Sequence, residues 1–325
     1  MGASGAAREF RVWDNHGCLP MAPDENIRWL PAIERYRQAG CSVASLNIGY
    51  GTMSLEEHVV LLDQMRAWIG AHPHAYRLVD SVGDIEEARE AGLLAICFDI
   101  EGAAPIQDLT LVEAFYRRGV RWMSLAYNSN NRAAGGCHDE DAGLSGYGRE
   151  LVAEMQRVGM VVCCSHVGYR TVSDVLACAR FPVIFSHSNP RTLCDHPRNV
   201  PDELIAECAR QGGVVGVNGL DLFLGGRATP QRICDHIDYL MEFIGPRHVA
   251  LGLDHVFDLE AINLEKASMG TTFPPGLGYE APVDCFNIDD IPAIPAELLR
   301  RGHGADAVAD VLEGNWMRIA RTCWR

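Results

Sequence analysis

The chain has 325 residues, a length that one eight-stranded α/β barrel accommodates. Its formal net charge of −15 excludes a nucleic-acid binder as the default class, because phosphate contacts need a basic surface. Apolar runs long enough to span a membrane are absent from the sequence, so we expect no membrane partner.

The cysteines favour a reducing compartment. Twelve of them are scattered along the chain without a Cys-x-x-Cys pair, a pattern typical of free thiols and not of a secreted disulfide framework. Residues 1–8 are small and polar and lack the apolar core of a signal peptide. We therefore expect a cytoplasmic protein.

Strand-like and helix-like segments alternate along the chain. Short apolar runs bounded by turn residues predict buried strands at 10–13, 41–48, 94–102, 120–126, 161–164, 183–185, 213–217 and 248–254. Helical spacing predicts helices at 29–39, 55–70, 84–91, 109–118, 148–158, 171–179, 202–211, 230–244 and 305–312, and another from 314. His58, within the second helix, is expected at the surface.

This alternation predicts the α/β class and, with eight strands, a (β/α)8 TIM barrel. We expect a single domain over residues 1–325. Residues 257–301 are rich in Pro and Gly and are expected to form an elaborated loop region over one end of the barrel.

Two of the predicted strands end in the same way. Residues 161–164 lead into Ser165 and His166, and residues 183–185 lead into Ser186 and His187. In barrels of this type the carboxyl ends of the strands carry the chemistry. One such histidine would more often be structural, but two in the same setting favour a metal or catalytic site.

Other strand ends carry further candidate ligands. His16 and Cys18 face the same way on an extended backbone, although a solvated histidine and a small buried cysteine are the simpler alternatives. Glu101 ends a strongly apolar run, where a carboxylate needs a cation, a hydrogen bond or a partner arginine. Asp254 ends the last strand in a similar way. Imidazoles and carboxylates on one rim suit zinc or a similar divalent ion, and a glutamate among histidines can bridge two ions.

In this order the motifs resemble those of the membrane (renal) dipeptidase family, which are zinc-dependent amidohydrolase barrels. The resemblance runs over nearly the whole length of the chain. It rests on residues 14–20, 99–102, 121–125, 159–167, 182–188, 198–202, 252–254 and 314–315. The combination is highly specific for the family and less specific for the activity.

The resemblance implies a centre with one or two Zn2+ ions. His16 and Asp254 would bind the first ion, Glu101 would bridge both, and His166 and His187 would bind the second. Asp254 would also move protons at the substrate nitrogen.

The resemblance also implies that Arg198 holds the substrate carboxylate, a role that suits its planar guanidinium. The alternatives for Arg198 are a surface position or an ion pair with Asp195 or Asp202. The family further suggests a homodimer.

Two residues depart from the family pattern. Cys18 stands where the family has an aspartate, and a thiolate binds zinc at about 2.3 Å where an oxygen binds at about 2.0 Å. Tyr127 stands where the family has a histidine that stabilises the tetrahedral intermediate. A tyrosine hydroxyl can donate a hydrogen bond to an oxyanion but carries no positive charge at neutral pH.

The leading hypothesis is a metal-dependent hydrolase that cleaves a dipeptide or a related small carboxylated amide by metal-activated water. In this hypothesis Asp254 and Tyr127 are the catalytic side chains, and Arg198 and Tyr127 contact the substrate. The first alternative is an amidohydrolase or lactamase-like enzyme on a non-peptide metabolite, with an altered or single-metal site. The second is a barrel that binds a ligand without turnover.

Overall fold

The computed structural model describes residues 10–51 and 53–325, so segment 1–8, on which the signal-peptide argument rests, lies outside the described residues. The strands of the described part run in chain order. They are β1 (Val12–Cys18), β2 (Cys41–Tyr50), β3 (Tyr76–Leu78), β4 (Leu94–Glu101), β5 (Val120–Ser124), β6 (Val161–Cys163), β7 (Ile184–Phe185), β8 (Val214–Val217), β9 (Val249–Leu251) and β10 (His255–Val256).

Eight of these strands form a closed parallel barrel in the order β1, β2, β4, β5, β6, β7, β8, β9. The pairing of Asp14 in β1 with Leu251 in β9 completes the circle. The predicted (β/α)8 TIM barrel is therefore confirmed. The sequence does not predict β3, which pairs with β4, or β10, which extends alongside β1, because runs this short show no periodicity.

Helices surround the barrel and cover its ends. They are α1 (Pro23–Trp29), α2 (Glu34–Gln38), α3 (Leu55–Gly70), α4 (Val82–Glu90), α5 (Thr110–Tyr116), α6 (Gly146–Val158), α7 (Tyr169–Cys178), α8 (Asp202–Arg210), α9 (Asp221–Leu224), α10 (Pro230–Ile244), α11 (Leu259–Ser268), α12 (Ala293–Arg300), α13 (Ala305–Ala309) and α14 (Asn315–Cys323). In the described part of the chain, no helix combines the length and the apolarity needed to cross a bilayer.

Two regions differ from the sequence-based expectation. The predicted helix 29–39 is interrupted by a 3₁₀ turn over Leu30–Ile33, where Pro31 lacks an N–H and restricts the residue before it. Region 257–301, expected as a loop, contains α11 and α12. Its Pro and Gly content concealed the helical spacing of both segments.

Helix α3 begins at a capping motif and contains His58, which the sequence predicts to lie at the surface. Ser54 and Glu57 form a reciprocal capping box at its first turn, each side chain accepting a hydrogen bond from the other's backbone N–H. His58, one residue further on, is fully buried and not at the surface. It fits beneath β2 because Gly49 has no Cβ, which would lie 2.4 Å from the imidazole.

The interior of the barrel is filled with side chains. Trp13 of β1 and Trp122 of β5 pack in one cluster with Trp316 of α14, whose indole N–H donates to the carbonyl of Leu251. Asn315 donates to the carbonyl of Val249. The barrel is thus a packed core that leaves the carboxyl ends of the strands to form a site.

Candidate metal centre

Glu101, the last residue of β4, lies at the centre of the site. One carboxylate oxygen, Oε1, is 2.7 Å from His166 Nε2 and 3.0 Å from His187 Nε2, and the other, Oε2, is 3.4 Å from His16 Nε2. Burial acts to raise the pKa of Glu101, but His16 and His166 outweigh it and hold that pKa well below its usual range. Gly102, with a φ of +103°, lets the chain turn directly beneath Tyr127, where a Cβ would be crowded at 3.2 Å.

His166 and His187 form the first group of donors with Glu101. Their Nε2 atoms are 2.9 Å apart, while the Nδ1 atoms contact Asn128 Oδ1 and Ser186 Oγ, each at 2.7 Å. Burial lowers the pKa of both histidines, that of His166 to about 3 with help from Arg198, so both rings stay neutral. Neutral imidazole nitrogens around a carboxylate oxygen are the donor set of a divalent cation.

The second group of donors surrounds His16 at the end of β1. His16 Nε2 is 3.3 Å from Cys18 Sγ and 3.5 Å from Asp254 Oδ1. Its Nδ1 lies 3.1 Å from Asp99 Oδ1, an outer carboxylate that orients the imidazole as in metal proteins. Burial acts to lower the pKa of His16, but Cys18 and Glu101 outweigh it and raise that pKa. The region around the His16 imidazole therefore favours a positive charge.

Asp254 follows β9 and completes the second group. Asn218 donates from Nδ2 to Asp254 Oδ2 at 2.8 Å, which leaves Oδ1 facing His16. Burial raises the pKa of Asp254 and also that of the Cys18 thiol. The turn before Asp254 requires Gly252, since a Cβ there would lie 1.8 Å from the carbonyl oxygen of Ser186.

The residues fit a metal centre. Glu101 Oε1 is buried and makes no hydrogen bond within the described part of the chain, although two imidazole nitrogens lie close to it. Three sets of donor atoms lie close enough to hold an ion. They are His16 with Cys18 and Glu101, His16 with His187 and Asp254, and Glu101 with His166 and His187. Nitrogen, oxygen and sulfur donors of this kind bind zinc.

The backbone at the site is unusual. Among the residues that the structure describes, three non-glycine residues have positive φ: Asn128 at 58°, His166 at 69° and Asp254 at 54°. All three are at or beside the donor groups. Left-handed backbone of this kind is sparsely populated outside glycine and clusters at functional sites.

Arg198 lies against both histidines, with only 3% of its surface exposed. Its Nε lies 3.1 Å from His166 Nδ1, while its Nη1 donates to Ser188 Oγ and its Nη2 to the carbonyl of His187, each at 3.2 Å. Asp195 pairs instead with Arg191. Neither the surface position nor a nearby aspartate partner therefore describes Arg198, which lines the cavity and has N–H groups beyond these three contacts.

The donor groups open into a cavity of about 220 Å³. Its walls are largely apolar and include Leu19, Met21, Leu220, Phe223, Ile262 and Phe273. Tyr127 lines the cavity and stacks on His166 with a ring separation of 4.4 Å. Burial, together with the charge of Glu101, raises the pKa of Tyr127, so the hydroxyl remains a proton donor.

Residues 259–285, here called the covering segment, lie over this cavity. Asn263 and Lys266 of α11 hydrogen-bond to Val283 and Ala281, which ties the segment to itself. His138 contacts the carbonyl of Thr272 and the hydroxyl of Tyr279. Ile262, Phe273, Tyr279 and Val283 of the segment line the cavity, so the segment forms one of its walls.

Sequence reasoning missed the residues that support the donors. Asp99, Asn128, Asn218 and Ser186 each contact a donor residue and are buried. Asp99 could have been predicted as a site residue from the sequence. It is a carboxylate inside an apolar strand, two residues before Glu101 and on the same face. Asn218 directly follows β8 and Asn128 lies in the loop after β5, where polar side chains are common, so neither could have been predicted in this way.

Comparison with known proteins agrees with the donor geometry. Residues 35–323 match the membrane dipeptidase family, peptidase family M19. The chain belongs to this family. A solved amidohydrolase structure from Pseudomonas aeruginosa is 28% identical and superimposes with a TM-score of 0.87 over 97% of both chains.

Two curated relatives of this membrane dipeptidase family member are longer than the chain. An uncharacterised dipeptidase of Schizosaccharomyces pombe is 36% identical over 204 residues, which are 59% of this chain and 49% of the relative. Dipeptidase 3 of Rattus norvegicus is 28% identical and aligns with 97% of this chain and 65% of the rat protein. The chain thus spans about half to two thirds of the length of these relatives.

The two departures from the family pattern, Cys18 and Tyr127, both line the cavity. Cys18 lies among the donors around His16, and Tyr127 covers the imidazole of His166. Any difference in chemistry between this chain and its membrane dipeptidase relatives is therefore expected at these two side chains.

Proposed function

We propose that this protein is a zinc-dependent hydrolase that cleaves dipeptides or closely related small carboxylated amides. The observation that carries the proposal is Glu101, whose two oxygens face different histidines, Oε1 facing His166 and His187 and Oε2 facing His16. A carboxylate shared in this way would hold both ions of a two-ion hydrolase site. The cavity of about 220 Å³ lies below the usual 300–1,000 Å³ of drug-sized pockets, which restricts the substrate to a small molecule.

His16, Glu101 and Asp254 would hold one ion, and Glu101, His166 and His187 the other. When bound, the ions would polarise the scissile carbonyl and lower the pKa of a water molecule. At His166 and His187 the Nδ1 atoms already contact Asn128 and Ser186, so Nε2 is the nitrogen of each ring that faces Glu101 and would bind the ion.

The remaining steps belong to the side chains of the cavity. Arg198 would hold the substrate carboxylate with the N–H groups that it does not use within the protein. The Tyr127 hydroxyl would donate a hydrogen bond to the carbonyl oxygen as negative charge develops there. Asp254, whose pKa is raised by burial, would accept a proton from the attacking water and deliver it to the leaving amine.

The test combines metal analysis with a panel of dipeptides that includes D-configured C-terminal residues. We expect the zinc-loaded protein to hydrolyse members of the panel, and His187→Ala to lose both hydrolysis and part of the bound zinc. His74→Ala, at an exposed histidine, is the matched control and should retain both. A zinc-loaded protein that cleaves no member of the panel would contradict the proposal.

We also propose a cytoplasmic location. All twelve cysteines lie in the described part of the chain and are free thiols. Thiols in this number persist in a reducing compartment.

A further inference from the structure

The two donor groups differ in their chemistry and in their number of protein donors. The group around His166 and His187 offers two nitrogens and Glu101 Oε1. The group around His16 offers one nitrogen, the sulfur of Cys18, and oxygens of Glu101 and Asp254. We call these the three-donor position and the four-donor position.

Four of the six donor separations at the four-donor position match those around a tetrahedral ion. His16 Nε2 lies 3.3 Å from Cys18 Sγ, 3.4 Å from Glu101 Oε2 and 3.5 Å from Asp254 Oδ1, and the sulfur lies 3.8 Å from Asp254 Oδ1. Ligands at about 2.0–2.3 Å from a tetrahedral ion are separated from each other by about 3.3–3.8 Å. The three-donor position is tighter, with separations of 2.7–3.0 Å.

The backbone fixes the sulfur at this position. Cys18 pairs with Val256 of β10, and the N–H of Phe257 donates to the Cys18 carbonyl at 3.0 Å. Gly17 before it packs against Tyr36, where a Cβ would lie 2.3 Å from the tyrosine oxygen. Cys18 is also only partly buried and lines the cavity, which is not the setting of a cysteine that acts as a small core residue.

We propose that Cys18 binds the ion at the four-donor position as a thiolate and closes that position with four protein ligands. On binding, the sulfur–hydrogen bond breaks, the proton passes to solvent and the sulfur electron pair forms the bond to the ion. The three-donor position keeps an open coordination site, as catalytic ions do. Because thiolate is a soft ligand, the two positions differ in ion preference, and the four-donor position favours zinc, cobalt or cadmium over magnesium or manganese.

This inference rests on the metal centre of the proposed function but not on its substrate. The test titrates cobalt(II) into the metal-free full-length chain and records the near-ultraviolet absorption of thiolate-to-cobalt charge transfer. We expect the band in the native chain and its loss in Cys18→Ser and in Cys18→Asp, which has the family's residue. Cys178→Ser, at a cysteine on α7 outside the site, is the matched control and should keep the band.

A second measurement does not depend on cobalt. Alkylation of Cys18 by iodoacetamide, followed on its peptide by mass spectrometry, should be several-fold slower in the zinc-loaded chain than in the metal-free chain. The same measurement on the Cys178 peptide should show no change with zinc. Cys18→Asp should bind as many ions as the native chain but gain affinity for manganese relative to zinc.

Two cobalt ions bound per native chain without the band would overturn the inference, as would a band that survives in both Cys18 variants. Unchanged alkylation of Cys18 on zinc loading would also overturn it. These outcomes are distinct from failure of the proposed function. Dipeptide hydrolysis without the band would support the hydrolase proposal and contradict the thiolate ligand. The band without hydrolysis would support the thiolate ligand and contradict the hydrolase proposal.

Discussion

At the scale of single residues, the proposed reaction assigns stabilisation of the developing oxyanion to the Tyr127 hydroxyl. Tyr127→Phe keeps the ring that stacks on His166 and removes only the hydroxyl. Loss of one oxyanion donor lowers kcat by about 10²–10³-fold in enzymes of known mechanism, so we expect a fall of about 10²-fold with little change in KM. Steady-state kinetics on the best dipeptide of the panel measure this, and an unchanged kcat would remove Tyr127 from the reaction.

Arg198 is the residue that we expect to distinguish a free carboxylate from its amide. Arg198→Lys keeps the charge but loses the planar fork, and a lost charge-assisted hydrogen bond corresponds to a rise in KM of about 10- to 100-fold. The measurement is the ratio of kcat/KM for a dipeptide and for its C-terminal amide. We expect this ratio to be large in the native enzyme and much smaller in the variant.

Arg198 also holds His166, Ser188 and His187, so a fall in activity alone would not identify its role. A variant that loses activity equally on the acid and on the amide would assign Arg198 to positioning the histidines. Zinc content, measured in the same preparation, shows whether those histidines still bind metal.

At the scale of elements, the covering segment depends on a few polar anchors. His138 contacts the carbonyl of Thr272 at 2.9 Å and the hydroxyl of Tyr279 at 3.2 Å, and His196 contacts the carbonyl of Leu277 at 3.0 Å. His138→Ala removes two of these three contacts. We expect faster hydrogen–deuterium exchange within 269–285, a higher KM and almost no change in the global unfolding midpoint.

His74→Ala again serves as the histidine control, because His74 is exposed. Exchange within 269–285 that is the same in His138→Ala and in the native chain would show that apolar packing alone holds the covering segment. In that case KM should also be unchanged.

The elements also show what the sequence can and cannot predict. Apolar runs ending in turn residues identify all eight barrel strands, because strands buried on both faces must be apolar. Pro31 interrupts a helix in a stretch that otherwise has helical spacing. Helix α11 was concealed by the Pro and Gly residues that follow it, and its outward face carries Leu264, which is 71% exposed.

The candidate site likewise has residues that the sequence can predict and residues that it cannot. Each candidate donor lies near the carboxyl end of a strand, so its position along the chain was enough to predict it as a candidate. Asp99, Asn128 and Asn218 act through a neighbour on another strand or loop. That relationship depends on strand register, which a single sequence does not contain.

At the scale of the whole molecule, buried histidines link folding stability to pH. Burial lowers the pKa of His236 to about 4, whereas the unfolded value is about 6.5. Its Nε2 is 3.2 Å from the carbonyl of Leu224, and its Nδ1 has no hydrogen-bond partner among the described residues. Between pH 6.5 and 4 the unfolded chain therefore binds a proton that the folded chain does not.

His236 therefore makes the free energy of unfolding fall as the pH drops from about 6.5 to about 4, by up to about 3 kcal/mol. Above about pH 6.5 His236 has no effect on the free energy of unfolding. Urea unfolding of the metal-free chain between pH 7 and 4.5 measures the slope. His236→Gln, which can still donate to Leu224, should have a shallower slope. Equal slopes in the two proteins would show that His236 titrates alike in both states.

The positive φ angles at Asn128, His166 and Asp254 place opposite demands on the same three positions. Backbone in this region costs on the order of 1–3 kcal/mol at a non-glycine residue, and glycine would relieve that cost. Glycine would also remove the amide, the imidazole or the carboxylate that the site uses. A search for more stable variants would therefore be drawn to glycine at these positions, and each gain in thermal tolerance there would be expected to reduce turnover.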